Sequence, residues 1–220
     1  KLCLNDIFET AIENDLSYKN PARRIEVQSS VGKHEKKVYG DLQIQLVKNY
    51  AKKHMPEVVI LLETGLRRGE LLGLKWEDID YKNLTLSVSR SITLENQSLV
   101  EKPPKWDSYR TLPLNQSTIQ IFQSLEQTGN YIFPSSSGDA QTPNTWSQKL
   151  ARFMANIQKK YPDIPPLTAH ELRHTYGTQL RRKGVDIYTI QKVLGHKDIN
   201  VTSEIYVHNE LEALRKALNL

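Results

Sequence analysis

Three islands of the sequence mix cations, histidines and glycines inside otherwise apolar stretches. The first is Thr64-Gly65-Leu66-Arg67-Arg68-Gly69-Glu70. Its two glycines let backbone come close to a ligand, and Arg67 falls between them at a helix start. A guanidinium at a helix N-terminus suits a phosphate. Taken alone, the plainer reading is favoured, a solvated arginine with Glu70 as its surface partner one turn on. The second island runs from Thr168 through His170, Glu171, Arg173 and His174 to Gly177. His170 and Arg173 are three residues apart and share a helix face. The third is Leu194-Gly195-His196, followed by Tyr206. Gly195 suits a helix C-cap, which leaves His196 just past the helix end. Tyr206 by itself reads as a half-buried core tyrosine.

Together the islands say more. Two arginines, two histidines and a tyrosine, with no carboxylate pair, point to phosphoryl chemistry by electrostatics. In-line attack on a phosphodiester builds charge on its non-bridging oxygens, and paired guanidiniums match those oxygens bidentately. A histidine can hydrogen-bond the phosphate or handle a proton. A tyrosine hydroxyl, with a reference pKa of about 10, becomes a nucleophile only when a base and cations help it ionise. The leaving alkoxide needs a proton, and a lysine whose pKa neighbouring cations lower can supply it.

A zinc site competes for the second island. His170, Glu171 and His174 spell His-Glu-x-x-His, the zinc-protease helix, and the match extends to Gly177. That pattern wants a third histidine three residues on, where this chain has Leu180. Arg173 within one turn of both ligands is unfavourable beside a dication. Glu171 also has a local use, since Thr168 and Glu171 form a capping box.

These residues need elements to position them. Leu4 to Leu16 has helical spacing and forms one short amphipathic helix. A polar linker from Ser17 to Gly40 follows. Two readings stand for that helix: the last element of a preceding domain, or a terminal helix that docks back on the main body. Helices are expected over a segment with Leu42, Leu46, Val47 and Tyr50 on its apolar face, over Val58 to Leu62 ending at Gly65, and over a short stretch with Glu70, Leu71 and Leu74. The period then changes to two at Leu84, Leu86 and Val88. With Ser98–Glu101 and Arg110–Leu114 this predicts a small three-stranded antiparallel meander. Helices resume at Gln116–Glu126, Asn144–Lys160, Ala169–Arg182, Ile187–Leu194 and Leu211–Leu218. The fold class is α+β, a mainly helical domain with one small antiparallel sheet.

Composition sets the outer bounds. The chain has 220 residues, 30 Lys+Arg and 25 Asp+Glu, a formal net charge of +5, and 38% hydrophobic residues. That is enough apolar material for a core. A mild positive balance permits a polyanionic partner without identifying one. No stretch approaches the roughly 18 apolar residues of a membrane span, and residues 1–20 lack the apolar centre of a signal peptide. The single cysteine, Cys3, forms no internal disulfide or cysteine metal cluster and fits a reducing cytoplasm.

The ordered set Thr64-Gly65-Leu66-Arg67-x-Gly69-Glu70, His170-x-x-Arg173, Leu194-Gly195-His196 and Tyr206 resembles the catalytic domain of tyrosine recombinases, the phage integrase family. It spans roughly residues 40 to 208, nearly the whole chain. The resemblance implies a site-specific recombinase that integrates and excises a mobile element, cutting and rejoining DNA through a 3′-phosphotyrosyl intermediate without metal or nucleotide cofactor. By position, Arg67 and Arg173 clamp the phosphate, His170 takes up or orients the proton of the nucleophile, His196 hydrogen-bonds the phosphate and Tyr206 attacks. Lys105, eight residues before Pro113, is the general acid, with Lys102 its nearest competitor, and Glu70 orients the arginines.

Two details depart from the common pattern. His196 and Tyr206 are ten residues apart where many relatives have nine, which resembles integrases of Gram-positive phages and conjugative transposons. Trp106 stands where a threonine often follows the lysine. The resemblance further implies that residues 1–36 are the last helix and linker of an N-terminal core-binding domain, and that residues 37–220 are the catalytic domain with its tail helix. Its implied partners are double-stranded DNA attachment sites, sister protomers in a tetramer with C-terminal tail exchange, and an excisionase or DNA-bending factor. The implied setting is the bacterial cytoplasm or nucleoid. A DNA-binding regulator with decayed chemistry is the rival on the same fold. Its sign would be a missing member of the site, and the candidate set is complete.

Overall fold

The computed structural model describes residues 2–23, 37–195 and 215. The chain divides into two compact units, Lys1–Glu35 and Lys36–Leu220. In the first unit, helix α1 (Leu2–Glu13) is closed by the segment after it. The Asn20 amide donates to Asn5 Oδ1 at 3.0 Å and to Glu9 Oε1 at 2.8 Å.

The second unit is built around α3 (Pro56–Thr64), which follows α2 (Asp41–His54) after one residue. Proline suits the first turn of α3, where no backbone donor is lost. Gly65 ends it in the left-handed conformation at φ 64°. Val58 to Leu62 are buried all round because α2, α5 (Gln116–Ser124) and α7 (Ala169–Arg182) pack on its sides. The buried stripe of α2 is Ile44, Val47 and Ala51, and Leu42 is 70% exposed. Two apolar stripes overlap at Val47, and helical spacing alone does not choose between them.

The remaining helices start where side chains cap them. Asn115 opens α5 by accepting from the Thr118 amide at 2.8 Å, and Thr142 opens α6 (Pro143–Lys160) by accepting from Thr145 at 3.0 Å. Thr168 and Glu171 form the expected capping box of α7. Asp186 accepts from Thr189 at the start of α8 (Ile187–Leu194). The expected face of α6, Trp146, Leu150, Phe153, Met154 and Ile157, is the buried one.

The mixed class with small antiparallel sheets is as expected, but the strands are distributed differently. After α4 (Arg68–Leu72) come β1 (Ile79–Asp80), β2 (Thr85–Val88), β3 (Ser91–Glu95), β4 (Ser98–Lys102) and β5 (Arg110–Pro113). The three-stranded sheet has the order β1-β2-β5, with Leu86 opposite both Ile79 and Leu112. The segment 98–101 is no part of it. It pairs with β3 in a separate hairpin, Ser91 opposite Lys102 and Glu95 opposite Ser98. Asn96 and Gln97 turn that hairpin with φ of 46° and 65°, the sign a two-residue primed turn needs. The β2–β5 pairing is non-local, so three alternating segments do not reveal which of them are neighbours. Among the described residues no helix is long and apolar enough to cross a membrane. Of the expected helix Leu211–Leu218 only Arg215 is described, and its Nη2 donates to the Asn83 carbonyl at 3.0 Å.

Candidate active site

The first island is held by two glycines. A side chain at Gly65 would strike the Tyr176 ring and come within 2.8 Å of Leu194. The end of α3 therefore seats directly on α7 and α8. At Gly69 a Cβ would lie 2.6 Å from the Ile92 carbonyl, which fixes α4 against β3. Arg67 is the N-cap of α4. Its backbone amide donates to Glu70 Oε2 at 2.8 Å, and its Nη1 donates to Oε1 at 2.7 Å.

Glu70 is the electrostatic hub and is fully buried. Besides Arg67 it meets Arg110 through both carboxylate oxygens and lies 4.0 Å from Arg173. Burial alone would raise its carboxyl. The hydrogen bonds and charge of Arg110, with the hydrogen bonds from Arg67, outweigh burial and hold it at about 2. Three guanidiniums around one carboxylate leave a formal excess of two positive charges. The surface pairing that local sequence favoured for Arg67 and Glu70 is thus replaced by a buried network.

Arg173 is 4% exposed on α7. Burial, and then the charge of Arg67, bring its guanidinium down to about 9, so it stays protonated at neutral pH. Its Nη1 donates to the Gly65 carbonyl at 2.8 Å and its Nη2 to the Leu194 carbonyl. Arg67 Nη2 donates to the Gly195 carbonyl, and Arg110 Nε to the Val193 carbonyl at 2.6 Å. Three consecutive carbonyls at the end of α8 thus each accept from a different arginine. Gly195 caps the helix at φ 66°, where guanidinium donors also favour the negative end of the helix dipole.

Lys105 opens a tight turn between the hairpin and β5. Trp106 adopts the left-handed conformation there (φ 68°, ψ 29°), and the Lys105 ammonium lies 5.1 Å from its ring centroid. Ser108 ties the turn to the arginines. Its hydroxyl donates to the Lys105 carbonyl at 2.9 Å and accepts from Arg67 Nη1 at 3.3 Å. The competitor, Lys102, is paired with Glu95 at 2.5 Å. His170 is exposed near the start of α7, 2.9 Å from His174 between the two Nε2 atoms. Glu171 is engaged as a cap: Oε2 accepts from the Thr168 amide at 2.8 Å and its hydroxyl at 2.9 Å. Among the described residues no three His, Cys, Asp or Glu side chains are grouped to hold a metal.

Arg67, Lys105, His170 and Arg173 line one open cleft of about 1260 Å3. Its walls are the start of α4, the hairpin, the Lys105 turn, one face of α6 and the start of α7. His196 and Tyr206 lie outside the described residues. Arg110 is the residue that sequence reasoning missed. A signal for it existed: it pairs with Val88 in the same register that pairs Leu112 with Leu86, so it shares strand parity with buried Leu112. A cation on the apolar parity of a strand calls for a buried partner, and Glu70 is that partner.

Residues 32–212 match the model of the phage integrase family. A tyrosine recombinase XerC-like protein of Caldanaerobacter subterraneus subsp. tengcongensis is 30% identical over 93% of this chain and 60% of its own length. The ICEBs1 integrase of Bacillus subtilis is 27% identical over 93% of this chain and 59% of its own. The chain thus spans about 60% of the length of these curated relatives. Among solved structures, the Tn1549 transposon integrase in complex with a circular intermediate DNA superposes with a TM-score of 0.77 at 23% identity, over 94% of this chain and 76% of that one. The family expected from the four ordered motifs is therefore the family found, and the chain belongs to the phage integrase family of tyrosine recombinases.

Proposed function

We propose that this chain is the catalytic part of a site-specific DNA recombinase that cuts and rejoins duplex DNA through a 3′-phosphotyrosyl intermediate, integrating and excising a mobile element. The observation that carries the reading is the convergence of Arg67, Arg173, Lys105 and His170, from separate stretches of the chain, on one cleft. The excess of two positive charges around Glu70 suits the charge that builds on a phosphodiester during in-line attack. The circular intermediate DNA in the Tn1549 integrase complex supports DNA as the partner, and duplex attachment sites are the form of it proposed here.

The Tyr206 hydroxyl attacks phosphorus, and His170 takes up or orients its proton. Arg67 and Arg173 hold the non-bridging oxygens, with a hydrogen bond from His196. The bond to the 5′-oxygen breaks, and Lys105 protonates that oxygen. Rejoining reverses each transfer, with a 5′-hydroxyl attacking the phosphotyrosine. The phosphotyrosine conserves the bond energy, so the cycle runs without ATP, and the protein's own cations do the electrostatic work without a metal. The working assembly is a tetramer on DNA that exchanges C-terminal tails between protomers, assisted by an excisionase or DNA-bending factor, in the bacterial cytoplasm or nucleoid.

The test is a nicked duplex taken from the junction between the encoding element and its flanking DNA. Wild type forms a covalent protein–DNA adduct, and Tyr206→Phe does not. An adduct that survives Tyr206→Phe overturns the nucleophile assignment.

A further inference from the structure

Arg110 does not line the cleft, yet every nitrogen of its guanidinium is engaged. Nη1 and Nη2 donate to Oε1 and Oε2 of Glu70 at 3.2 and 2.7 Å. Nε donates to the Val193 carbonyl at 2.6 Å, and Nη1 also reaches the Ser108 carbonyl at 3.2 Å. The side chain is 8% exposed and the carboxylate it faces is 0% exposed. From β5, Arg110 therefore touches α4, the end of α8 and the turn that carries Lys105. Gly195 leaves room for it, since a Cβ there would lie 3.2 Å from Arg110 Nη1 and 2.9 Å from Ser108 Cβ.

The chemistry of Glu70 gives this arrangement a purpose. A buried carboxylate has about four acceptor sites and seeks bidentate guanidinium partners. Two oxygens left half-satisfied beside Arg67 and Arg173 would close on one of those guanidiniums, fork to fork. That arginine would then be neutralised and its donors withdrawn from a phosphate. Arg110, which does not line the cleft, already occupies both oxygens. Glu70 is left with one side-chain bond and one backbone bond to Arg67, enough to aim that guanidinium without consuming it. Arg173 stays 4.0 Å away, beyond a hydrogen bond.

We propose that Arg110 is a positioning residue for the phosphate-binding arginines: it saturates Glu70, so that the carboxylate orients Arg67 and leaves Arg173 available. The proposal rests on the recombinase reading above and adds to it a residue that acts through Glu70 and not on the substrate.

The test uses the full chain and the nicked junction duplex, with adduct formation followed at saturating DNA, DNA affinity measured by gel shift and folding checked by thermal melting. Arg110→Ala slows adduct formation by about a hundredfold, the scale of a misplaced catalytic group, while affinity changes by less than about threefold because most contacts fall on other phosphates. Glu70→Gln introduced into Arg110→Ala recovers part of the lost rate, because a neutral amide no longer captures an arginine. Arg110→Lys keeps the charge without the fork and falls between wild type and alanine. If the alanine variant does not fold, Arg110→Lys with and without Glu70→Gln carries the same comparison.

Arg110 variants that react at the wild-type rate overturn the proposal. So does a double variant no faster than Arg110→Ala, which is what a merely structural role gives. Tyr206→Phe run in parallel separates the two readings. An adduct that persists in it removes the tyrosine-nucleophile reading, and with it the premise on which this proposal rests. A Tyr206-dependent adduct indifferent to Arg110 removes this proposal alone.

Discussion

The guanidinium of Arg173 donates from Nη1 to the carbonyl of Gly65 at 2.8 Å, so the buried cation of α7 is fixed by the residue that stops α3. A change in the backbone at Gly65 is therefore a change in the arginine. Gly65→Ala meets the left-handed φ of 64° and a clash with the Tyr176 ring at once. The expected loss is about 2 to 5 kcal/mol of stability, read by chemical denaturation. Adduct formation by the protein that remains folded falls as well.

Glu70 ties stability to pH. Its carboxyl, held at about 2, lies below its ordinary value of 4.5. A depressed carboxyl stabilises the folded state fully above the unfolded value, and the gain is lost as pH falls from about 4.5 toward 2. At pH 7, Glu70→Gln is expected to be less stable than wild type by about 3 kcal/mol. The gap between the two narrows through that acidic window. Denaturation curves at pH 7, 4 and 3 check it, and a gap that stays constant refutes it.

The two candidate lysines separate by their partners. Lys102 is committed to Glu95, whereas Lys105 stands on Trp106 at the end of the hydrogen-bonded turn that reaches Arg67. Lys105→Ala is expected to slow strand cleavage by about 10²- to 10⁴-fold, the usual worth of a general acid, and Lys102→Ala by only a few-fold. Replacing the 5′ leaving oxygen by sulfur, which departs without a proton, restores the rate of Lys105→Ala. A sulfur substrate that leaves the lysine defect in place argues against the acid role.

Metal removal tests the histidine pair. With His170 as the proposed proton acceptor and Glu171 engaged as a cap, adduct formation in EDTA is expected to proceed at the untreated rate. His170→Ala is expected to slow it by about 10²-fold or more, and His174→Ala, which removes the ring next to His170, by less. One tightly held zinc per chain in elemental analysis, with activity lost on chelation, would reverse this reading.

Much of the positioning framework was legible in the sequence because it is local. The capping box at Thr168 and Glu171 sets the start of α7, and with it the shared face of His170 and Arg173. Gly65 and Gly195 mark helix ends by their need for positive φ. What escaped is non-local. Glu70 and Arg110 are 40 residues apart and meet only because β5 pairs with β2 beside α4. The hairpin is local, yet it takes one of the expected sheet strands because Ser98–Lys102 pairs with the adjacent Ser91–Glu95. Arg67 looked like a solvated arginine because nothing within one turn of it reveals that Glu70 is buried.

The row of three arginines on the carbonyls of Val193, Leu194 and Gly195 has a thermodynamic consequence. A helix terminus ordinarily frays at little cost. Here releasing the Val193 and Leu194 carbonyls would strand the buried donors of Arg110 and Arg173, so the last turn of α8 is expected to open only when β5 and α7 open with it. Amide protons there, including that of Gly195, which bonds to the Lys192 carbonyl at 2.8 Å, should exchange with solvent at the rate of global unfolding. The arginines around Glu70 and the end of α8 are expected to behave as one cooperative unit, assembled or lost together.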